Sequence, residues 1–197
     1  MKVNRQGQAK VLTEQELRNL FAVGLLTSRD RLLFGICLYT GCRIGEACSL
    51  RWRDIVENTI TFRIENTKTR ASRSVAMSPA LQALWGDYRQ EQEKEKFGSL
   101  FVFRGKRVGS HLHPSMAHKI LKAATERIGV QGVSTHSFRR TALTMMCRKG
   151  VNLRVIQKIS GHKSLNVLAH YLEVSEQEKA AALALIEFWR EIEVPFI

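Results

Sequence analysis

Residues 30–50 read DRLLFGICLYTGCRIGEACSL, and this stretch decides the class of fold. Residues 30–40 are mostly apolar, which is typical of a helix buried in a protein core. Gly41 is expected to end that helix, because glycine readily takes the backbone out of the helical path. Residues 43–50 then predict a second short helix that carries Arg43 on its first turn. A buried helix followed at once by another indicates a mainly helical protein.

The remaining segments predict further helices and one small sheet. Thr13 and Glu16 form a capping box, which predicts a helix that runs to about Ala22. Residues 59–64 alternate in the manner of a strand, and residues 73–77 are placed to pair with them as a β-hairpin. Further helices are predicted over 79–97, 114–128, 136–149, 152–159, 164–170 and 175–190, and a short strand over 100–103. The expected fold is mainly α with a small antiparallel β-sheet (α+β).

The chain carries a large positive charge. Its 31 lysines and arginines outnumber 18 aspartates and glutamates, for a net charge of +13. This excess favours a polyanionic partner, most simply nucleic acid, although a basic surface kept for solubility is the alternative. No apolar run approaches the ~18 residues of a membrane span, and the polar N-terminus lacks the apolar centre of a secretory signal. We therefore expect a soluble, cytoplasmic, nucleoid-associated protein with no membrane partner and no small-molecule substrate.

The cysteines and histidines lack the spacing of a metal site. The four cysteines are Cys37, Cys42, Cys48 and Cys147. They contain no CxxC pair, and three lie in or beside an apolar stretch, as small buried side chains do in a reducing cytosol. The three histidines at 111, 113 and 118 lie close in sequence, but no carboxylate or cysteine lies near them. We expect no metal and no other cofactor.

Two cations in the first half of the chain suit phosphate chemistry. Arg43 precedes Glu46 by three residues, which on a helix lets the carboxylate orient the guanidinium. A planar guanidinium can bind a phosphate with two hydrogen bonds, although an intrahelical salt bridge is the alternative. Lys68 lies near the tip of the predicted hairpin and is the only lysine between Lys10 and Lys94. A lysine can act as a general acid when its pKa is lowered, whereas an exposed turn lysine is the alternative.

Three further cationic or ionisable residues follow in the second half. His136 and Arg139 lie three residues apart, in HSFRR, and so share one face of a predicted helix. Arg140 would lie about 100° further round, toward a bound polyanion or solvent. His162 follows Gly161 at a helix break, where glycine permits a tight turn that leaves the imidazole forward. Each signal alone is weak, since a lone HxxR pair also arises by chance.

One of the three tyrosines is a candidate nucleophile. Tyr39 lies in an apolar run and is expected in the core, and Tyr88 lies on a helix beside polar neighbours. Tyr171 follows His162 by nine residues, near the end of a predicted short helix. A phenol with a pKa of ~10 attacks poorly at neutral pH unless a base or nearby cations assist it. Only Tyr171 has such helpers in the sequence pattern.

The order and wording of these segments resemble the catalytic domain of the tyrosine recombinase (phage integrase) family. The segments are TGCRIGEA, NTKT, HSFRR, SGHKS and AHYLEVS, and the resemblance covers about residues 11–176. It implies that a tyrosine attacks a DNA phosphate, which forms a 3′-phosphotyrosine and frees a 5′-hydroxyl. It further implies that two arginines and the histidines bind the scissile phosphate while the hairpin lysine protonates the leaving oxygen. The residues that take these places are Arg43, Lys68, His136, Arg139, His162 and Tyr171.

The resemblance also implies the partners and leaves rivals open. It implies double-stranded DNA as substrate, self-association as a tetramer on DNA, and no requirement for metal or ATP. Most family members carry a helical core-binding domain before the catalytic domain, and its absence from this sequence predicts weak autonomous DNA binding. The sequence is then either cut from a longer protein or a solitary-domain member. The rivals are a type IB topoisomerase, a non-catalytic DNA-binding protein and a basic RNA-associated protein.

The end of the sequence has the character of a docking segment. Leu185, Phe188, Trp189 and Ile192 form an apolar helical stripe, which either packs on its own domain or docks in a neighbouring protomer. Related recombinases use a C-terminal segment in the second way. The expected organisation is a polar lead-in over 1–12, a catalytic domain over 13–178, and a C-terminal helix and tail over 179–197.

Overall fold

The computed structural model describes residues 9–63, 65, 71–95, 98–169 and 176–185. Helix α1 (Glu14–Asn19) begins at the predicted capping box, in which Thr13 Oγ1 accepts from the Glu16 amide at 3.2 Å. The helix then widens into a π-helical turn over Leu20–Gly24, which closes with a bond from the Leu25 amide to the Leu20 carbonyl. The predicted helix is confirmed, and the π turn carries its end two residues beyond Ala22.

Helix α2 (Ser28–Thr40) is the central helix, and it packs against α4 (Pro79–Glu95) and α6 (Thr135–Arg148). Gly41 ends it with a φ of +60°, as predicted. Tyr39 is 42% exposed, so its predicted place in the core is wrong. Most of the α2 surface is buried, but Tyr39 faces a groove that α1 and α6 leave open.

Helix α3 (Ile44–Cys48) follows α2 after a short turn that contains Arg43. Arg43 is the N-cap of α3, with an extended backbone, rather than a residue of its first turn as predicted. The reason is that its amide donates to the Glu46 carboxylate at 2.8 Å, which closes the helix start from outside.

The sheet has three antiparallel strands, β1 (Ile55–Val56), β2 (Thr59–Phe62) and β3 (Arg73–Ala76). The predicted pairing of residues 59–64 with 73–77 is confirmed over the described residues, and its last pair is Phe62 with Arg73. The predicted strand over 100–103 is reduced to one isolated bridge between Phe101 and Arg51.

The second half of the described chain is helical. It contains α5 (Pro114–Arg127), α6, α7 (Leu153–Ser160), α8 (Leu165–Ala169) and α9 (Glu176–Ala184). These bounds confirm the predicted helices to within one residue at the described ends, except that α9 ends at Ala184, six residues before the predicted end at 190. The expected class, mainly α with a small antiparallel sheet, is confirmed. Across the described ranges, no helix is both long enough and apolar enough to cross a membrane.

Aromatic contacts join several elements of the core. Phe34 of α2 stacks on Phe138 of α6 with ring centroids 5.0 Å apart. Trp52 stacks on Tyr88 with ring centroids 6.1 Å apart, and its ring lies 5.4 Å from that of Trp85. Tyr88 is buried, and its hydroxyl donates to the Val102 carbonyl at 2.7 Å. Tyr88 is therefore held in a structural hydrogen bond in the core.

Candidate functional site

Arg139 joins three separate segments of the chain at one guanidinium. It lies on α6, is only 4% exposed, and donates through Nη1 to the carbonyl oxygens of Gly41 (2.5 Å) and Ser160 (2.9 Å). Gly41 ends α2, and Ser160 ends α7. A buried guanidinium is stable only when acceptors surround it, so these carbonyls fix both its position and its plane.

His162 faces the same guanidinium from the turn after α7. Gly161 has a φ of +68°, which turns the chain back and places the imidazole of His162 beside Arg139. Nη2 of Arg139 lies 2.8 Å from Nε2 and 3.1 Å from Nδ1 of His162. The sequence-predicted residues from HSFRR and SGHKS therefore meet in space.

A serine sets the tautomer of His162. Ser160 Oγ donates to the Ile156 carbonyl at 2.6 Å and lies 2.7 Å from Nδ1 of His162. Because the hydroxyl proton of Ser160 is engaged, we assign the proton to Nδ1, which donates to Oγ. Nε2 is then unprotonated and accepts from Arg139.

The surroundings of His162 hold it neutral. Burial is the largest cause that lowers its pKa from 6.5 to about 4, and nearby cations act in the same direction. These cations are Arg139, Arg43 and Arg73, and Glu46 opposes them. A bound anion would reverse the electrostatic part of this effect and favour the imidazolium, so the site is built to respond to negative charge.

Arg43 presents a donor that the described part of the chain does not use fully. Its side chain is part-buried, and Nη1 lies 3.7 Å from Oε1 of Glu46. Among the described residues, this buried Nη1 has no hydrogen-bond acceptor. Buried donors nearly always have a partner, so an orphan of this kind in a polar site suits an acceptor brought by a ligand.

Glu46 is the carboxylate at the centre of the site, but its main partner is an arginine that the sequence analysis did not select. The sequence predicts that Glu46 orients the guanidinium of Arg43, whereas its closest charged contact is Arg73 of β3, at 2.9 and 3.2 Å. Burial raises the pKa of Glu46, but hydrogen bonds and charge from Arg73, with the Arg43 amide, outweigh it and leave the pKa below its usual value. Glu46 is therefore an anion in the site.

The other sequence-predicted residues differ in what the structure says of them. His136 is exposed on the first turn of α6, three residues before Arg139. Lys68 and Tyr171 lie outside the described residues, so their roles stay predictions. Arg140, which was expected to face a polyanion or solvent, instead donates to the Ala9 carbonyl at 2.7 Å.

The remaining histidines and cysteines have structural surroundings. His111 packs on Phe101, and His113 caps α5 by accepting from the Ser115 amide. The cysteines at 37, 42 and 48 are buried, as the sequence predicts. Within the ranges that the structure describes, no three His, Cys, Asp or Glu side chains are grouped as metal ligands would be.

Comparison with known proteins places the chain in a family. The model of the phage integrase family matches residues 10–178, so the chain belongs to the phage integrase family. A tyrosine recombinase of Thermosipho africanus is 33% identical over 178 residues, which cover 87% of this chain and 60% of the relative. The chain spans about three fifths of the length of the curated relatives it matches.

Solved structures show the same fold. The XerA recombinase aligns with a TM-score of 0.76 and 23% identity, over 89% of this chain and 64% of that one. The catalytic domain of bacteriophage HP1 integrase aligns with a TM-score of 0.63 and 22% identity, over 94% of this chain and 100% of that one. The fold is therefore that of a tyrosine recombinase catalytic domain, as the sequence resemblance implies.

Proposed function

We propose that this chain is the catalytic part of a tyrosine site-specific recombinase, which cuts and rejoins duplex DNA through a 3′-phosphotyrosine intermediate. The observation that carries the proposal is the meeting of Arg139 with His162, within electrostatic reach of Arg43. Phosphoryl transfer through such a site depends on positioned cations that neutralise the phosphate as charge develops. Integration, excision and inversion of DNA all share this chemistry.

Each site residue is given a role that matches its chemistry. Arg43, Arg139, His136 and His162 bind the scissile phosphate in this proposal. The Nη1 donor of Arg43, which has no acceptor among the described residues, supports its part, because a phosphate oxygen would supply an acceptor. Tyr171 attacks the phosphorus, and Lys68 protonates the 5′-oxygen that leaves.

Double-stranded DNA is the proposed substrate. The XerH recombinase, solved as a complex with its difH substrate before cleavage, aligns with a TM-score of 0.71 and 22% identity over 90% of this chain. The net charge of +13 supports the same class of partner here, since phosphate contacts supply most of the affinity for DNA. A cytoplasmic, nucleoid-associated location follows from this proposal.

The nucleophile is the first point to test. Wild type, Tyr171→Phe and Tyr39→Phe are incubated with a nicked suicide substrate and run on a denaturing gel. Tyr39 is an exposed tyrosine that lines the groove between α1 and α6, and it serves as the matched control for cleavage. Wild type and Tyr39→Phe are expected to give a covalent protein–DNA band, and Tyr171→Phe is expected to bind DNA without forming one. A covalent band from Tyr171→Phe would overturn the assignment.

Two further assays separate recombination from the related activity of a type IB topoisomerase. Strand exchange between two marked duplexes is the expected outcome for a recombinase. Relaxation of supercoiled DNA by a monomer, without strand exchange, would instead identify a topoisomerase. DNA binding without any covalent adduct would identify a non-catalytic binding protein.

We further propose that residues 179–197 form a segment that docks on a second copy of the chain, beyond a catalytic domain over 13–178 and a lead-in over 1–12. Leu183 and Leu185 are 64% and 87% exposed, as expected for apolar side chains that become buried when another protein surface binds. The sequence that follows is apolar and acidic, with three glutamates (Glu187, Glu191 and Glu193) and one arginine (Arg190) among aromatic and aliphatic residues.

A groove between α1, α2 and α6 has the complementary character. Its cavity volume is about 600 Å³, and its charged lining residues are Arg18, Lys149 and Glu14, so that two cations face one carboxylate. The apolar lining includes Leu17, Phe21, Leu38, Tyr39, Met145 and Met146. An acidic, apolar segment suits a groove whose lining is mostly apolar and whose charged lining residues are net positive. We therefore propose that the segment of a neighbouring copy docks here. Four copies joined head to tail in this way would form the expected tetramer on DNA.

A further inference from the structure

Arg73 is a buried cation beside the site that has no place in the proposed chemistry. It opens β3, and its side chain is 9% exposed. Its Nε donates to the Ile159 carbonyl at 2.9 Å, and its Cζ lies 4.3 Å from the centre of the Phe62 ring. The carbonyl and the ring hold the guanidinium in one orientation, in which Nη1 and Nη2 are directed to Glu46.

The carboxylate of Glu46 is shared unequally between two arginines. Arg73 donates to both of its oxygens, to Oε1 at 3.2 Å and to Oε2 at 2.9 Å. Arg43 donates to Oε2 through its backbone amide at 2.8 Å, but its side-chain Nη1 stays 3.7 Å from Oε1, which is too far for a hydrogen bond. Arg73 thus holds the position on the carboxylate that the side chain of Arg43 would otherwise take.

This division leaves the guanidinium of Arg43 available to a ligand. Its Nη1 has no acceptor among the described residues, and Arg43 lies within electrostatic reach of His162. A shift of about 1 Å would bring that Nη1 into bonding distance of Glu46 Oε1. A donor bound to the carboxylate in this way could not serve a phosphate.

A second group of side chains in the chain has the same design. Asp54 closes the start of the 3₁₀ turn Trp52–Asp54 by accepting from the Arg51 amide at 2.9 Å, and it pairs with Arg63. The buried Nε of Arg51 also has no acceptor among the described residues, but its guanidinium lies over the Phe101 ring, 5.7 Å from the ring centre. This group therefore supplies an internal control whose described polar contacts do not reach the carboxylate of the site.

We propose that Arg73 is a positioning residue that occupies the carboxylate of Glu46 and thereby keeps the guanidinium of Arg43 available to the scissile phosphate. The inference rests on the proposed function, because the phosphate is the ligand assigned to Arg43 there. Arg73 itself does not contact the phosphate in this proposal. Without Arg73, Arg43 is the other described cation within ion-pair distance of the buried Glu46 carboxylate, so the two are expected to close into a salt bridge.

The first test is structural and needs no substrate. Crystal structures of wild type and Arg73→Met are compared for the separation of Arg43 Nη1 from Glu46 Oε1, which is 3.7 Å in the wild-type chain. In Arg73→Met this separation is expected to shorten to about 2.9 Å, the usual length of an N–H···O hydrogen bond. An Arg43 guanidinium that keeps its wild-type position in the variant would overturn the proposal.

The second test measures single-turnover cleavage of a suicide substrate. Arg73→Met is expected to lose on the order of 10²-fold, as a group displaced by about 1 Å does. Glu46→Gln removes the charge that captures Arg43, while its amide oxygen can still accept from the Arg43 backbone. The double variant Arg73→Met/Glu46→Gln is therefore expected to recover to within about tenfold of wild type. A loss that Glu46→Gln does not relieve would show a structural role and overturn the proposal, as would a wild-type rate in Arg73→Met.

A double-mutant cycle separates an effect through Arg43 from the mere loss of a nearby charge. If Arg73 acts through Arg43, Arg73→Met is expected to cost less than about threefold when it is added to Arg43→Ala. A direct electrostatic effect of Arg73 on the phosphate would cost the same factor in both backgrounds, and that result would overturn the proposal.

Arg63→Met is the matched control, because it also removes an arginine from a buried carboxylate that closes a helical turn. It is expected to cleave like wild type under conditions in which both are folded, and a loss equal to that of Arg73→Met would overturn the proposal. If Arg73→Met does not fold, Arg73→Lys takes its place in every experiment. A lysine keeps the charge but cannot bond both oxygens in parallel, so a loss of about tenfold that Glu46→Gln relieves is expected.

Two outcomes separate this proposal from the function on which it rests. If wild type forms no covalent adduct on duplex DNA, the proposed function fails, whereas the crystal structures still test the role of Arg73. If wild type cleaves DNA but Arg43 keeps its position in Arg73→Met, the recombinase proposal stands and the role of Arg73 is rejected.

Discussion

His162 accepts a hydrogen bond from Arg139 through Nε2, at 2.8 Å, although the two residues lie 23 positions apart in the chain. The bond depends on a neutral imidazole. If Nε2 were protonated, its N–H would face the N–H groups of Arg139, and a guanidinium cannot accept a hydrogen bond. Binding of a phosphate between them would replace this contact with two charge-assisted bonds. The Arg139–His162 hydrogen bond is thus formed in the free protein and would be replaced when a phosphate binds.

The stability of the protein should depend on pH through His162. Its pKa is about 4 in the folded chain, below the ordinary value of 6.5, so the unfolded chain takes up a proton first as the pH falls. The contribution of the neutral His162 imidazole to the free energy of unfolding is therefore complete above pH 6.5. It is lost between pH 6.5 and 4, by up to about 3 kcal/mol. Chemical denaturation of wild type and His162→Gln at several pH values measures this.

The difference in unfolding free energy between wild type and His162→Gln should shrink over that window and stay constant above pH 7. His118→Gln, which changes an exposed histidine on α5, is the control and should follow wild type throughout. Glu46 also has a lowered pKa, but its stabilisation is lost only below pH 4.5 and is common to all three proteins. Parallel curves for wild type and His162→Gln would contradict the prediction.

Arg43 should matter more to cleavage than to folding. Arg43→Ala is expected to reduce single-turnover cleavage by roughly 10²–10³-fold, because it removes a donor aimed at the charge that develops on the phosphate. Unfolding free energy should change by less than about 1 kcal/mol, because Glu46 keeps its bonds to the backbone and to Arg73. Arg89→Ala, an exposed arginine paired with Glu93 on α4, is the control. A loss of cleavage that merely tracks a loss of stability would show a structural role.

Local sequence was enough to predict most elements and the catalytic candidates. The capping box at Thr13 and the glycines at 41 and 161 are signals within a few residues, and the structure places helix boundaries at each of them. Arg139 and His162 were chosen from short motifs, and they meet. What the motifs could not give is the bonding between them, which depends on the carbonyls of Gly41 and Ser160.

The misses have a common physical cause in distant packing. An apolar run shows that α2 is buried but does not show which residue meets a gap between neighbouring helices, so Tyr39 was wrongly placed in the core. Arg73 resembles any cation at the start of an edge strand, and its partner Glu46 is 27 residues away. Only the fold, which brings Arg73 beside Glu46 of the TGCRIGEA motif, shows that Arg73 pairs with that carboxylate.

DNA affinity should fall steeply with salt. A polypeptide of these 197 residues carries a net charge of +13, and contacts to about 6 phosphates would give a slope of log affinity against log salt near −5. Fluorescence anisotropy with a duplex at several salt concentrations measures the slope, and an RNA duplex of equal length serves as competitor. Affinity that does not change with salt would show that the basic surface is not the DNA face, and stronger binding to RNA would favour an RNA-associated role.

Removal of the C-terminal segment should separate cleavage from assembly. A variant that lacks residues 180–197 is expected to stay folded, because those of its residues that the structure describes, 180–185, are all exposed. It should cleave a suicide substrate in a single turnover but fail to form synaptic complexes in native gels, since no segment is left to fill the groove of a neighbouring copy.

The variant Lys149→Glu changes only the groove and is expected to weaken synapsis by roughly tenfold through repulsion of the acidic segment, with cleavage unchanged. A deletion variant that unfolds would show that the segment packs on its own domain, and one that recombines like wild type would show that docking is not needed. Normal synapsis by Lys149→Glu beside a failing deletion variant would place the acceptor surface elsewhere on the neighbouring copy.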